Sequence, residues 1–214
     1  MKKLFCSAAL AVFAAMDICH AQSVRMLESE ELEEVLYGQE VDIPAFKGYE
    51  FTDRDGTWDV VLCERPYRVV EGDTLRNAIA AFCFVQDHGG YLKKWEFSDV
   101  LLGAGEEDSR ERDLLFWTRY ARFEDLDGDG LADPLLVYAS LSGDGEEGNI
   151  ARINIHLYHK QERITVQAVE SVLDEGRSLR FSKGYTVLPP SIKQQLDELL
   201  EKIRKDRGVL LKDG

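Results

Sequence analysis

Apolar residues recur along most of this chain at every second position. Trp58, Val60 and Leu62 alternate with Val61 and Cys63, and Leu75, Ile79, Ala81, Cys83 and Val85 share one face of the next apolar run. Ile153, Ile155 and Leu157 alternate with Arg152, Asn154, His156 and Tyr158. A period of two places alternate side chains on opposite faces of a strand. Polar turns separate the runs: the glycine-bearing Asp53-Arg54-Asp55-Gly56 and Asp87-His88-Gly89-Gly90, and the glycine-free His159-Lys160-Gln161-Glu162 further on. Together they predict a hairpin over 46–68, a second over 74–97 and a third over 150–169. Segments 116–124 and 135–141 also read as strands, the first rich in aromatic rings. His88 reads as a turn residue, because no second histidine or cysteine stands near it at metal spacing.

Two stretches depart from this period. Ile192, Leu196, Leu199, Leu200 and Ile203 recur at helical spacing between Pro189 and Gly208, with Lys202, Arg204, Lys205 and Arg207 at the C-terminal end. Proline opening, glycine closing and cations at the negative pole predict a helix over 189–207 that packs on the sheet. Leu32, Val35 and Leu36 predict a shorter helix over 29–37, with Ser29 as its cap and Gly38 as its stop. The expected fold is α+β: a twisted antiparallel sheet of hairpins with a C-terminal amphipathic helix packed on it. A propeller is the alternative, but the C-terminal helix does not fit a repeat of about 40 residues.

The N-terminus changes the setting. Met1-Lys2-Lys3, the uncharged run Leu4 to Met16 and then Cys19-His20-Ala21 read as a cleaved signal peptide over 1–21, leaving 22–214 as one domain. The apolar run is too short to span a bilayer, so no transmembrane segment is expected. The chain carries a net charge of −14. Removing Lys2, Lys3 and Asp17 leaves 24 basic against 39 acidic residues. Such a chain is repelled by nucleic acid phosphates and anionic lipid, and its field favours cations. In an oxidising compartment Cys63 and Cys83 have one possible pairing, and closing that disulfide contributes about 3 kcal/mol.

The sharpest chemistry lies at Asp125-Leu126-Asp127-Gly128-Asp129-Gly130-Leu131-Ala132-Asp133. Ca²⁺ takes about six to eight oxygens in flexible geometry. Asp125, Asp127 and Asp129 occupy the first, third and fifth loop positions, and Gly130 permits the reversal. The carbonyl of Leu131 and the carboxylate of Asp133 complete the predicted set. Position 12 is Leu136 and not Glu, and Pro134 disfavours helix at Asp133. The loop therefore joins two strands and is not an EF-hand. The pattern D-x-D-G-D-G-x-x-D resembles the calcium loops of FG-GAP repeats in integrin alpha chains and related bacterial secreted proteins, a resemblance of ligand scheme over nine residues. A second acidic turn over 142–148 offers Asp144 or Glu146 to a neighbouring ion, or is simple hairpin chemistry.

A longer stretch, from about Trp95 to Leu196, is similar to a family of small exported bacterial proteins sometimes labelled surface polysaccharide biosynthesis proteins. It is carried by DLDGDGLADPLLVY at 125–138, ARINIHLYHK at 151–160, VLDEGR at 172–177 and YTVLP at 185–189. Where that family has Gly-Arg at the start of the Ile153 strand, this chain has Ala151-Arg152. The resemblance implies an envelope or extracellular setting and supplies no catalytic residue to carry over.

The resulting expectation is an exported, periplasmic or extracellular, non-catalytic protein with a structural Ca²⁺ loop, whose partner is an envelope protein or a glycan. A hydrolase or glycan-modifying enzyme with a carboxylate pair is the alternative. The chain has no G-x-S-x-G elbow, H-E-x-x-H helix or glycine-rich phosphate loop. A partner-binding module working through its acidic surface is the third reading.

Overall fold

The computed structural model describes residues 23–103, 110–143, 149–171 and 173–211. The segment read as a signal peptide, and the turn residues Asp144 and Glu146, lie outside them. The described chain runs β1 (Val24–Met26), α1 (Ser29–Leu36), β2 (Ala45–Asp53), β3 (Gly56–Val70), β4 (Asp73–Asp87) and β5 (Gly90–Val100). It continues with β6 (Asp113–Phe116), β7 (Leu135–Ser142), β8 (Asn149–His159), β9 (Glu162–Val169), β10 (Ser178–Phe181) and α2 (Pro190–Arg207). The fold is mainly β, with antiparallel sheets and a C-terminal helix.

The strands form two sheets where one was expected. One runs β1-β2-β3-β4-β5 and the other β10-β9-β8-β7-β6, both as antiparallel meanders. Period-two alternation explains why they stack. Strands β3, β4 and β7 bury both faces, so each sheet needs a cover on each side. Phe51, Val60, Leu62 and Ile79 of the first sheet meet Phe116, Leu136, Tyr138 and Tyr158 of the second in one core. On the far side of the second sheet, Val137, Ile153, Ile155 and Val166 take the stripe of α2. On the far side of the first, Val61, Cys63 and Phe84 meet Val35 of α1 and the segment behind it. The order of layers is helix, sheet, sheet, helix.

The helices end for local reasons. Gly208 adopts the left-handed conformation that closes α2. The N-cap of α1 is Glu28, one residue before the expected Ser29, and its amide donates to the Glu31 carboxylate at 2.8 Å. Gly48 on β2 lies directly beneath this helix. A Cβ there would come within 2.4 Å of a Leu32 methyl and 2.9 Å of a Leu27 methyl, so any larger residue requires these side chains to shift.

Charge also joins the sheets. Arg76 on β4 reaches Glu64 on β3 at 2.6 Å and Asp113 on β6 at 3.2 Å. The Glu64 carboxylate in turn accepts the Phe116 amide at 2.9 Å. Arg152 on β8 lies between Asp99 of the first sheet and Glu111.

Two expectations are corrected. Cys63 and Cys83 are free thiols and form no disulfide. Val60 pairs with Cys83 across β3 and β4, so Cys83 shares its face with Val60 and Leu62, while Cys63 lies on the opposite face. One thiol belongs to the core between the sheets and the other to the core under α1. The strand expected over 116–124 breaks after Phe116. Thr118–Tyr120 forms a 3-10 turn, and the chain resumes pairing through Arg122 and Leu135. The break lets Trp117 and Tyr120 enter the α2 core while Phe116 and Phe123 enter the core between the sheets.

Candidate metal centre

The acidic loop connects the Arg122–Leu135 bridge to itself. The Asp133 amide donates to the Glu124 carbonyl at 2.8 Å, so both ends of the loop are held by backbone pairing. Gly128 and Gly130 take positive φ and let the chain coil around Asp125. The Asp125 carboxylate accepts the amides of Gly128 at 2.7 Å, Asp129 at 3.1 Å and Gly130 at 2.7 Å. Asp133 accepts the Leu126 amide at 2.9 Å across the neck.

This coil brings Asp125, Asp127 and Asp133 together, each with a carboxylate oxygen within 4.8 Å of the others. Oxygens bound about 2.3–2.6 Å from one Ca²⁺ lie at most about 5 Å apart, so the spacing fits a shared ion. The donors are all hard oxygens, which suits calcium or magnesium better than a soft transition metal. Asp133 is 2% exposed. Burial raises its pKa above the ordinary carboxylate range, against the opposing bonds from His159 and the Leu126 amide.

Of the other predicted ligands, Asp129 stands apart from this trio. One of its oxygens accepts the Leu131 amide at 2.9 Å, and the other lies 3.2 Å from the Lys160 ammonium. Desolvation works against its charge, but the Leu131 amide and Lys160 outweigh it and lower the pKa. Leu131 lies beside the trio on the loop, and its amide is engaged by Asp129.

Four residues around the loop escaped sequence reasoning. His159 and Lys160 come from the β8–β9 turn. His159 Nδ1 is hydrogen-bonded to Asp133 at 2.8 Å, and its Nε2 lies 3.9 Å from Asp127. Lys160 and Gln161 both take positive φ, as a two-residue type I′ turn requires, and this turn folds over the loop. Asp53 and Arg54 come from the β2–β3 turn. Asp53 accepts the Ala132 amide at 3.1 Å. The Arg54 amide donates to the Gly130 carbonyl at 3.0 Å, and its guanidinium to the Asp129 carbonyl at 2.9 Å. The sequence marked all four only as turn residues, since the partners are distant in the chain.

Beside the loop a cleft of about 290 Å³ opens between the sheets, walled by Phe51, Trp58, Trp95 and Tyr158 and by Leu131 and Ala132 of the loop itself. Trp95 and Tyr158 stack with centroids 3.7 Å apart. The Trp58 indole donates to Asp53 at 2.8 Å. Among the described residues no helix is long and apolar enough to cross a membrane.

Compared with known proteins, the chain matches no family model, no curated protein and no solved structure, and its reading rests on its own geometry.

Proposed function

We propose that this is an exported, non-catalytic calcium-binding protein whose ion clips the loop over 125–133 into the double-sheet core. The convergence of Asp125, Asp127 and Asp133 carries the reading. Three carboxylates this close repel one another, and a divalent cation relieves that repulsion. Asp125, Asp127 and Asp133 would hold the ion, which would supply neutralising charge and cross-link the two ends of the loop. Asp129, which lies beside Lys160, would be a further oxygen donor if it were released from that ammonium. Water or the Leu131 carbonyl would fill the remaining positions.

The support for a structural role is the bracing. The loop is tied to the β2–β3 turn through Asp53 and Arg54 and lies under the β8–β9 turn. A ligand that binds only the folded form stabilises it, by about 2.7 kcal/mol at one hundred times its dissociation constant. Calorimetric titration of the chain from residue 22 with calcium, in parallel with thermal unfolding, tests the proposal. The expected result is saturable binding with a raised Tm, both lost in Asp127→Asn. Identical melting in calcium and in chelator overturns it.

A further inference from the structure

We propose that the cleft beside the acidic loop binds a small organic cation, its apolar body among aromatic rings and its charged nitrogen facing the carboxylates at the mouth. The walls are rings from both sheets: Phe51, Trp58 and Trp95 from the first and Tyr158 from the second. Phe51 and Trp58 lie nearly parallel, with 5° between their planes. Ring faces carry negative potential and attract ammonium and guanidinium groups, most strongly where water is thinned out.

The mouth has the matching charge. Asp53 and Asp55 both border the cleft. Asp53 is held in place by the indole of Trp58 and the amides of Asp55 and Ala132. Asp55 is exposed and stands 3.9 Å from Arg54, too far for a tight pair. Among the described residues that line the cleft, Lys160 carries the one ammonium, and it is engaged by Asp129 at 3.2 Å. With a chain net charge of −14, an organic anion meets repulsion at long range and again at the mouth. A neutral apolar molecule gains the rings but not the carboxylates.

The test uses benzyltrimethylammonium, its neutral carbon isostere neopentylbenzene and the anion benzylsulfonate, all in chelator, so that the outcome does not depend on the metal. Indole resonances in heteronuclear NMR spectra report on Trp58 and Trp95, with Trp117 in the α2 core as internal control. The expected result is saturable shifts at Trp58 and Trp95 with Trp117 unmoved. The cation should bind about tenfold or more tightly than either competitor. Asp55→Asn, at an exposed turn position, should weaken it about threefold or more, and Ala132→Phe should block the cleft. No shift at the two indoles, equal binding of the neutral or anionic probe, or full affinity in Asp55→Asn overturns the proposal. The last variant keeps the test decisive if Ala132→Phe fails to fold.

Discussion

Asp53 and Ala132 stand 79 positions apart, and the Asp53 carboxylate accepts the Ala132 amide at 3.1 Å. The same carboxylate accepts the indole N–H of Trp58 and the amide of Asp55, both at 2.8 Å. One side chain thus shapes its own hairpin turn, orients an aromatic wall and anchors the acidic loop. Replacing it by alanine leaves donors without an acceptor, each costing about 1–3 kcal/mol when buried. Asp53→Ala is expected to lower unfolding free energy by about 2–3 kcal/mol in urea titration and to weaken calcium binding. An unchanged midpoint would show that the turn and the loop are independent.

The Lys160 ammonium lies 3.2 Å from Asp129, the one loop aspartate outside the converging trio. That ammonium occupies charge that a bound ion would otherwise neutralise, so the two compete. Lys160→Met is expected to tighten calcium binding several-fold, and the gain should shrink at high salt, because the ammonium is exposed and screened. Calorimetry at two ionic strengths measures this. Equal affinities in parent and variant would mean that Asp129 stays outside the shell.

His156 lies buried between the sheets, edge-on to Phe97 and Tyr138. Burial first, then the charges of Arg163 and Arg152, push its pKa down to about 3. An unfolded histidine titrates near 6.5. Between these values the unfolded chain binds a proton that the folded chain refuses, so stability falls as pH drops from about 6.5 toward 3, by up to about 1.4 kcal/mol per pH unit. Asp59 works in the opposite sense. Burial raises its pKa to about 6, so between about 4 and 6 the folded form holds the extra proton and acid favours folding. The difference between parent and His156→Gln in urea titrations across this range isolates the histidine. Parallel pH profiles would remove it as a source of acid sensitivity.

Cys63 and Cys83 point into different cores and are both buried. Burial also raises both thiols, the first to about 12, which disfavours the reactive thiolate. Iodoacetamide is therefore expected to leave both unmodified in the native protein and to alkylate both after denaturation without prior reduction. Peptide mass mapping reads this directly. A peptide pair linked through Cys63 and Cys83 would contradict the register of β3 and β4.

The strand period was legible because alternation depends only on local geometry. Trp58, Val60 and Leu62 do share a face, as do Ile153, Ile155 and Leu157. The stripe of α2 was legible for the same reason, and all five of its apolar residues are buried. The segment after Phe116 was not. Its aromatic residues suit a strand, but they serve two cores, and a 3-10 turn is what divides them. The disulfide failed on a similar point. Face membership was visible for each cysteine within its own strand, but which faces coincide depends on the register between strands.

The acidic loop shows the same division most clearly. Its aspartate spacing, its two turn-forming glycines and the Pro134 that stops a helix are local properties, and the sequence by itself determined a strand–loop–strand unit rich in hard oxygen donors. The spacing already grouped Asp125, Asp127, Asp129 and Asp133, and only the tertiary structure decided that Asp129 leaves that group to pair with Lys160. It also decided that Asp53, Arg54 and His159 brace the loop beside an aromatic cleft. These contacts join residues up to 79 positions apart. The Asp53 and Arg54 contacts arise from how the two sheets stack and those of His159 from the β8–β9 turn folding over the loop, relationships that no local spacing encodes.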